Sequence, residues 1–254
     1  MHHLFDVSGK TVLVTGGSSG LGLELVRLFL REGARVAAVA RAFEPDLADH
    51  AGVRLSDNEA CMTIESDLTA PGAVQQVFGD LTERFGAPDV VVNNAGISIM
   101  ERAECMTAEQ FDEVMRINVN AAFTVAQHAC HVMKKRKSGG SIINISSVLA
   151  DRGIRGSSAY SISKAAMDQM TRSLAIEWGR HRIRVNSIAA GWFASAMSSE
   201  VLKGPGGEIL RQKNPMRRFA ELKDFSGTVL LLASDAGAYV NGAIIPVDGG
   251  QSLT

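Results

Sequence analysis

Cysteine is scarce in this 254-residue chain: Cys61, Cys105 and Cys130 form an odd, scattered set. They show neither the paired spacing of a disulfide framework nor the C-x-x-C of a metal site, so they are expected to be reduced and mostly structural thiols. No stretch reaches the roughly 18 consecutive apolar residues of a membrane span, and the N-terminus has no signal-peptide core. Cytoplasm is the expected location, without a membrane partner. Charge of one sign is lacking too, with 26 Lys and Arg against 27 Asp and Glu and a net charge of -1. Such a balance offers no field for nucleic acid or acidic lipid. The basic run Lys134-Lys135-Arg136-Lys137 falls at the end of a predicted helix, where cations complement the dipole. His2-His3 is too short to indicate metal binding, and no metal is expected. Internal repeats, low-complexity tracts and domain-dividing linkers are all absent, which leaves residues 1–254 as one domain.

What the chain does have is alternation. Short β-branched runs at Thr11–Thr15, Arg35–Ala40, Cys61–Glu65, Val90–Val92, Ser141–Ile145, Ile183–Ser187 and Ala243–Val247 predict strands. Helical periodicity marks Gly20–Arg31, with Leu21, Leu25, Leu28 and Phe29 on one face, then Glu109–Lys135 and Ser158–Trp178. Strand-helix alternation with right-handed crossovers predicts an α/β class: a single-domain, doubly wound, Rossmann-type parallel sheet with helices on both faces. Residues 191–214 break the regularity with Lys203-Gly204-Pro205-Gly206-Gly207 and are expected to form a hinged substrate loop.

Two segments carry chemistry. The first, Thr15-Gly16-Gly17-Ser18-Ser19-Gly20-Leu21-Gly22, joins the first strand to the first helix. Gly16, Gly20 and Gly22 allow a tight turn, close approach to a pyrophosphate and close helix packing, with Ser18, Ser19 and Leu21 completing the cradle at a helix N-terminus. The second is Tyr160-Ser161-Ile162-Ser163-Lys164, which places a phenol and an ammonium one helical turn apart. A free phenol has a pKa near 10. A neighbouring cation and an oxidised nicotinamide are expected to favour its phenolate and bring it toward the working range.

The spacing T-G-x-x-x-G-x-G, together with Y-x-x-x-K and Ser147 thirteen positions before Tyr160, resembles the short-chain dehydrogenase/reductase family. Within it, the texture of Trp178-Gly179-Arg180-His181 and Gly191-Trp192-Phe193-Ala194 is similar to the gluconate 5-dehydrogenase-like and 3-oxoacyl carrier-protein reductase-like branches. The resemblance implies hydride transfer between a nicotinamide and a secondary alcohol or its ketone. It assigns Tyr160 as proton-transfer group and Ser147 as the donor to the substrate oxygen. Lys164 would hold the ribose and pass the proton on. Asn118 would keep a water beside Lys164 from a kinked helix, with Asn120 as the alternative assignment. Asp67 would contact adenine beside Leu68, and Asn94, Ala95 and Gly96 would steady sheet and cofactor. Gly191, Phe193 and Ser195 would meet the cofactor at the start of the loop, Ser195 in place of a threonine that contacts the carboxamide. Ala190 replaces the proline of a Pro-Gly pair, which predicts a looser start to the loop. Val247-Asp248-Gly249-Gly250 implies a homotetramer.

Cofactor choice turns on the end of the second strand. Ala40 occupies the position where a carboxylate would accept from ribose hydroxyls, and Arg41 follows. A guanidinium suits a 2′-phosphate, so NADP(H) is favoured. If Arg41 is merely a surface cation, Glu44 or Asp46 would serve NAD(H) instead. By resemblance Ser98, Ile99, Met100, Leu149, Trp192, Phe193 and Met197 would line the substrate pocket. Their apolar character fits a ring- or chain-bearing ketone better than a free sugar; Arg152 and Arg155 could alternatively meet an anionic group. A non-catalytic cofactor-binding regulator would not need Ser147, Tyr160 and Lys164 together, and an enoyl reductase would be expected to space Tyr and Lys more widely.

Overall fold

The structure is a computed structural model that describes residues 4–136, 138–193, 202 and 204–254. Seven parallel strands make one sheet in the order β3-β2-β1-β4-β5-β6-β7. They are β1 Thr11–Thr15, β2 Arg35–Ala40, β3 Cys61–Glu65, β4 Val90–Asn93, β5 Gly140–Ser147, β6 Ile183–Ala190 and β7 Ile244–Val247. The helices are α1 Gly20–Arg31, α2 Ala73–Phe85, α3 Ala108–Met115, α4 Ala122–Arg136, α5 Ser158–Trp178, α6 Pro205–Lys213 and α7 Ser226–Ala233.

Every residue of β1 is buried, because helices cover both faces of the sheet and the strand must be apolar on each. The pleat sorts its side chains. Val12 and Val14 join the core under α1 and α7, with Val26, Phe29, Phe225 and Val229. Leu13 points to the opposite core, with Val77, Leu81, Val125, Met133 and Leu174 from α2, α4 and α5. The expected doubly wound arrangement is therefore present.

Strand order reverses between β1 and β4, which pair in the register Val12↔Val90 to Val14↔Val92. Chains leaving two such strands turn to opposite sides, and the crevice at their C-terminal ends is where ligands bind in open α/β sheets. Here those ends are Thr15, leading to the glycine turn, and Asn93, leading to Asn94-Ala95-Gly96.

Several boundaries differ from expectation. Helix α2 was not foreseen; its buried face of Val74, Val77, Phe78, Leu81 and Phe85 has the i, i+3, i+4 pattern that marks it. The helix expected over Glu109–Lys135 is two helices joined by a π turn, Arg116–Ala121. It starts at a capping box in which Thr107 accepts from the Gln110 amide and the Gln110 side chain accepts from that of Thr107. Arg136 is more than a solvated cap: it ion-pairs with Asp89 at 2.9 Å and donates to the Ala87 and Gly139 carbonyls. Strands β5 and β6 run on to Ser147 and Ala190. With no proline to stop it, β6 pairs Ala190 with Ser147 on one side and Val247 on the other, so that the loop starts from a fixed point. Lys137, Ser195, Met197 and Lys203 lie outside the described residues. Cys61 and Cys130 are buried as expected, whereas Cys105 is exposed; burial pushes the Cys61 thiol up to about 11.

Candidate active site

At the switch point the chain is shaped for an anion. Gly16 and Gly20 adopt φ of +68° and +52°, a left-handed region that glycine enters without steric cost. A Cβ on Gly22 would lie 2.1 Å from the Gly16 carbonyl oxygen, so only glycine lets α1 pack down on the turn. Ser19 caps α1 in extended conformation but makes no side-chain cap bond, and no acidic residue sits in the first turn. The first amides of the helix are thus left for a ligand. Asn94 braces the cradle from β4, donating to the Thr15 and Gly16 carbonyls at 3.0 and 3.3 Å. Thr15 Oγ1 in turn accepts from the Asn94 and Ala95 amides, both at 3.0 Å.

The same strand ends bring the second segment alongside. A cleft of about 260 Å³ is lined by Gly16, Ser19, Gly20, Leu21, Asn94, Ala95 and Gly96 on one side and by Ser147, Tyr160, Lys164, Gly191 and Phe193 on the other. Of the expected pocket positions, Ser98, Met100, Leu149, Trp192 and Phe193 also line it, and Ile99 does not. Ser157, Val148 and Ala190 belong to it as well, and the sequence reading missed them. For Val148 and Ala190 the signal was positional, since they adjoin Ser147 and Gly191; Ser157, the residue before α5, had no such neighbour.

Lys164 is buried and its Nζ donates to the Ile145 carbonyl at 2.7 Å. The same Nζ lies 5.6 Å from the Tyr160 ring centroid. Burial brings the ammonium down to about 8, opposed by the charge of Asp168. The phenol of Tyr160 moves the other way, raised by burial and opposed by a hydrogen bond with the Ser147 side chain. The lysine hydrogen-bonds a carbonyl, and among the protein groups loss of hydration dominates at the phenol. Ser147 Oγ also accepts from the Leu149 amide at 3.1 Å.

Asn118, on the π turn, is fully buried. Its Oδ1 accepts from the Ile97 amide at 2.8 Å, and its Nδ2 donates to the Ile97 carbonyl and to Ser163 Oγ, both at 2.9 Å. Both amide protons are spent within the protein, which leaves one oxygen lone pair of the side chain for a water. Ser163 Oγ donates to the Tyr160 carbonyl at 2.7 Å, so the turn bearing Tyr160 is tied to Asn118. A Cβ on Gly96 would come within 3.2 Å of Asn118 Oδ1 and 3.6 Å of Lys164 Nζ. Asn120 instead lies on the outer side, near Arg116 and Thr124.

Arg41, Asp67 and Leu68 stand outside the cleft, at the ends of β2 and β3. Asp67 accepts from the amide and hydroxyl of Thr69, at 2.9 and 2.7 Å. Those bonds, with the charges of Arg116 and Arg41, lower its pKa. Arg41 is exposed, as are Glu44 and Asp46. Glu65, not foreseen, accepts from the Phe43 amide at 3.2 Å and fastens the turn carrying Arg41. Gly22 packs against Gly16, and neither it nor Ser18 lines the cleft.

A family model described as enoyl-(acyl carrier protein) reductase matches residues 16–252. The chain belongs to the short-chain dehydrogenase/reductase family. It is 36% identical over 249 residues to carbonyl reductase [NADPH] 2 of Sus scrofa, covering 96% of this chain and 97% of that protein. Identity is also 36%, over 259 residues and all of both chains, to the rhamnolipids biosynthesis 3-oxoacyl-[acyl-carrier-protein] reductase of Pseudomonas aeruginosa. Among solved structures, a gluconate 5-dehydrogenase from Burkholderia cenocepacia J2315 in complex with NADP and tartrate superposes with a TM-score of 0.90 at 27% identity. That match covers 99% of this chain and 98% of the other. Family membership makes the protein an oxidoreductase and agrees with both branches suggested by its motifs.

Proposed function

We propose that the protein is an NADP(H)-dependent reductase of ketones, with Tyr160 as the acid that protonates the substrate oxygen. The observation that carries this reading is the convergence of Ser147, Tyr160 and Lys164 on one cleft with the glycine cradle. The open amides of α1 and the glycine-only packing at Gly22 fit a dinucleotide pyrophosphate. The bound nicotinamide supplies the hydride for the carbonyl carbon, or receives it from the alcohol.

In reduction, the phenol of Tyr160 gives its proton to the developing alkoxide, and burial favours the protonated species this needs. Ser147, hydrogen-bonded to that phenol, donates to the same oxygen and stabilises its charge. Lys164 holds the ribose hydroxyls and returns a proton toward Tyr160. Asn118 fixes the turn on which Tyr160 sits. Asn94, Ala95, Gly96, Gly191, Phe193 and Ser195 complete the cofactor site, with Asp67 and Leu68 at its adenine end.

Arg41 supports NADP(H) over NAD(H), because the carboxylate that would accept from the ribose is replaced by Ala40 and a cation follows it. A carbonyl substrate is favoured over the enoyl group in the family description because Tyr160 and Lys164 are only four positions apart. The cleft walls of Met100, Val148, Leu149 and Trp192 suit a ring or an acyl chain. The same reading includes a homotetramer, supported by Phe123, Ile162 and Ile176, apolar yet exposed on α4 and α5.

The test is a panel of ketones and alcohols scored by NADPH absorbance, with Michaelis constants for both cofactors. Consumption of NADPH with cyclic or acyl-chain ketones is the expected result. Tight cofactor binding without turnover of any carbonyl would favour a regulator, and a lower Michaelis constant for NADH would overturn the NADP(H) assignment.

A further inference from the structure

Lys164 is a buried cation, and burial of an ammonium is tolerated only where the surrounding groups compensate it. The groups facing it are few. From β5 come the Ile145 carbonyl, Ser146 and Ser147; from α5 itself come Tyr160 and Asp168; Gly96 and Asn118 close the side nearest β4. Tyr160 is neutral at working pH, so Asp168 is the one charge among the described residues that acts on Lys164.

Asp168 lies one helical turn beyond Lys164 on the same sheet-facing side of α5 and is 8% exposed. Its carboxylate is held by two strands. Ser187 of β6 donates to Oδ1 at 2.9 Å, and the Ser146 side chain of β5 hydrogen-bonds the carboxylate as well. Ser146 Oγ also reaches the Lys164 carbonyl at 3.3 Å, so that one hydroxyl sits between the carboxylate and the lysine backbone. Arg172, exposed on the next turn, is the remaining charge facing Asp168.

We propose that Asp168 is a positioning residue for the reaction: clamped by Ser146 and Ser187, it places a buried negative charge one turn from Lys164 and keeps that lysine protonated while the enzyme works. The role rests on Lys164 acting as proposed above. Burial alone would discharge the lysine, and burial alone would also protonate Asp168; its two hydroxyl partners and Arg172 oppose that. It also gives Ser146 a purpose distinct from that of its neighbour Ser147.

The experiment compares pH profiles of kcat/KM for ketone reduction in the wild type, Asp168→Asn and Asp168→Glu. Loss of the Lys164 proton sets the alkaline limb. In Asp168→Asn this limb moves about one pH unit downward, giving roughly a 5-fold loss at pH 8 with little change at pH 6. Asp168→Glu, which keeps the charge, restores most of it. A uniform fall at all pH values, or an unmoved limb, would overturn the proposal. Should Asp168→Asn fail to fold, Ser187→Ala removes one clamp, and its limb must move in the same direction by a smaller amount; an unmoved limb counts against the proposal equally. NMR titration of ¹³Cε-labelled lysine, with Lys164 identified through Lys164→Arg, reads the same quantity without turnover. The wild-type resonance titrates near about 8, and removal of the carboxylate lowers it. A wild type that reduces no carbonyl sinks the functional reading, and the titration still decides the place of Asp168.

Discussion

At the scale of the residue, Tyr160 and Lys164 are shifted by the same cause in opposite directions, because burial penalises whichever form carries charge. Replacing Tyr160 by Phe removes the proton donor and leaves the ring in place. Turnover is expected to fall by about 10²–10⁴-fold with cofactor affinity unchanged, as stopped-flow and equilibrium fluorescence would show. Lys164→Met has a different signature. The folded lysine, at about 8 against an ordinary 10.5, binds a proton less readily than the unfolded one. Its contribution to stability is therefore least favourable below about 8 and recovers as pH rises toward 10.5. Thermal melts should show the methionine variant more stable than wild type at pH 7 by about 1–3 kcal/mol. That gap narrows by pH 10, while activity is lost at both. A wild type that melts higher at pH 7 would mean that the Ile145 hydrogen bond outweighs the cost of the buried cation.

Elements decide how those residues meet. The π turn between α3 and α4 presents Asn118 inward, and its amide spans the Ile97 backbone and Ser163. Asn118→Ala orphans these groups in a dry setting. We expect a loss of about 2–4 kcal/mol in urea unfolding together with a fall in kcat, since Tyr160 is anchored through Ser163. An unchanged kcat in the folded variant would separate the π turn from catalysis. The junction of β1 and α1 is equally specific. Gly22→Ala drives a methyl group into the Gly16 carbonyl, and the turn must open. Cofactor dissociation constants are expected to rise at least about 10-fold, with ketone specificity unaltered among the turnovers that remain. Sequence periodicity marked the span as one helix, Glu109–Lys135, and the family resemblance placed Asn118 at a kink within it. The extra residue in the turn was illegible, because one wider hydrogen-bond ring leaves the apolar pattern almost unchanged.

For the whole molecule, the reversal of strand order gathers segments separated by more than a hundred residues into one cleft. Arg41 stands outside it, at the end of β2, where its effect is electrostatic and testable. Arg41→Asp should raise the Michaelis constant for NADPH and lower that for NADH, shifting the preference by about 10-fold or more. Sedimentation should give four times the 27.0-kDa chain mass if the apolar faces of α4 and α5 are covered by other copies. The sequence by itself determined the strand-helix alternation, the glycine turn and the Ser147, Tyr160 and Lys164 spacing, because each depends on neighbours a few positions apart. Burial and long-range approach were decided only by the tertiary structure. Burial acts on the phenol against the cations that local reasoning considered, Ala190 continues a strand where a missing proline suggested looseness, and Asp168 emerges beneath Lys164 through serines from two different strands. Desolvation and hydrogen bonding across a sheet depend on what the rest of the chain brings alongside, and no spacing along the sequence records that.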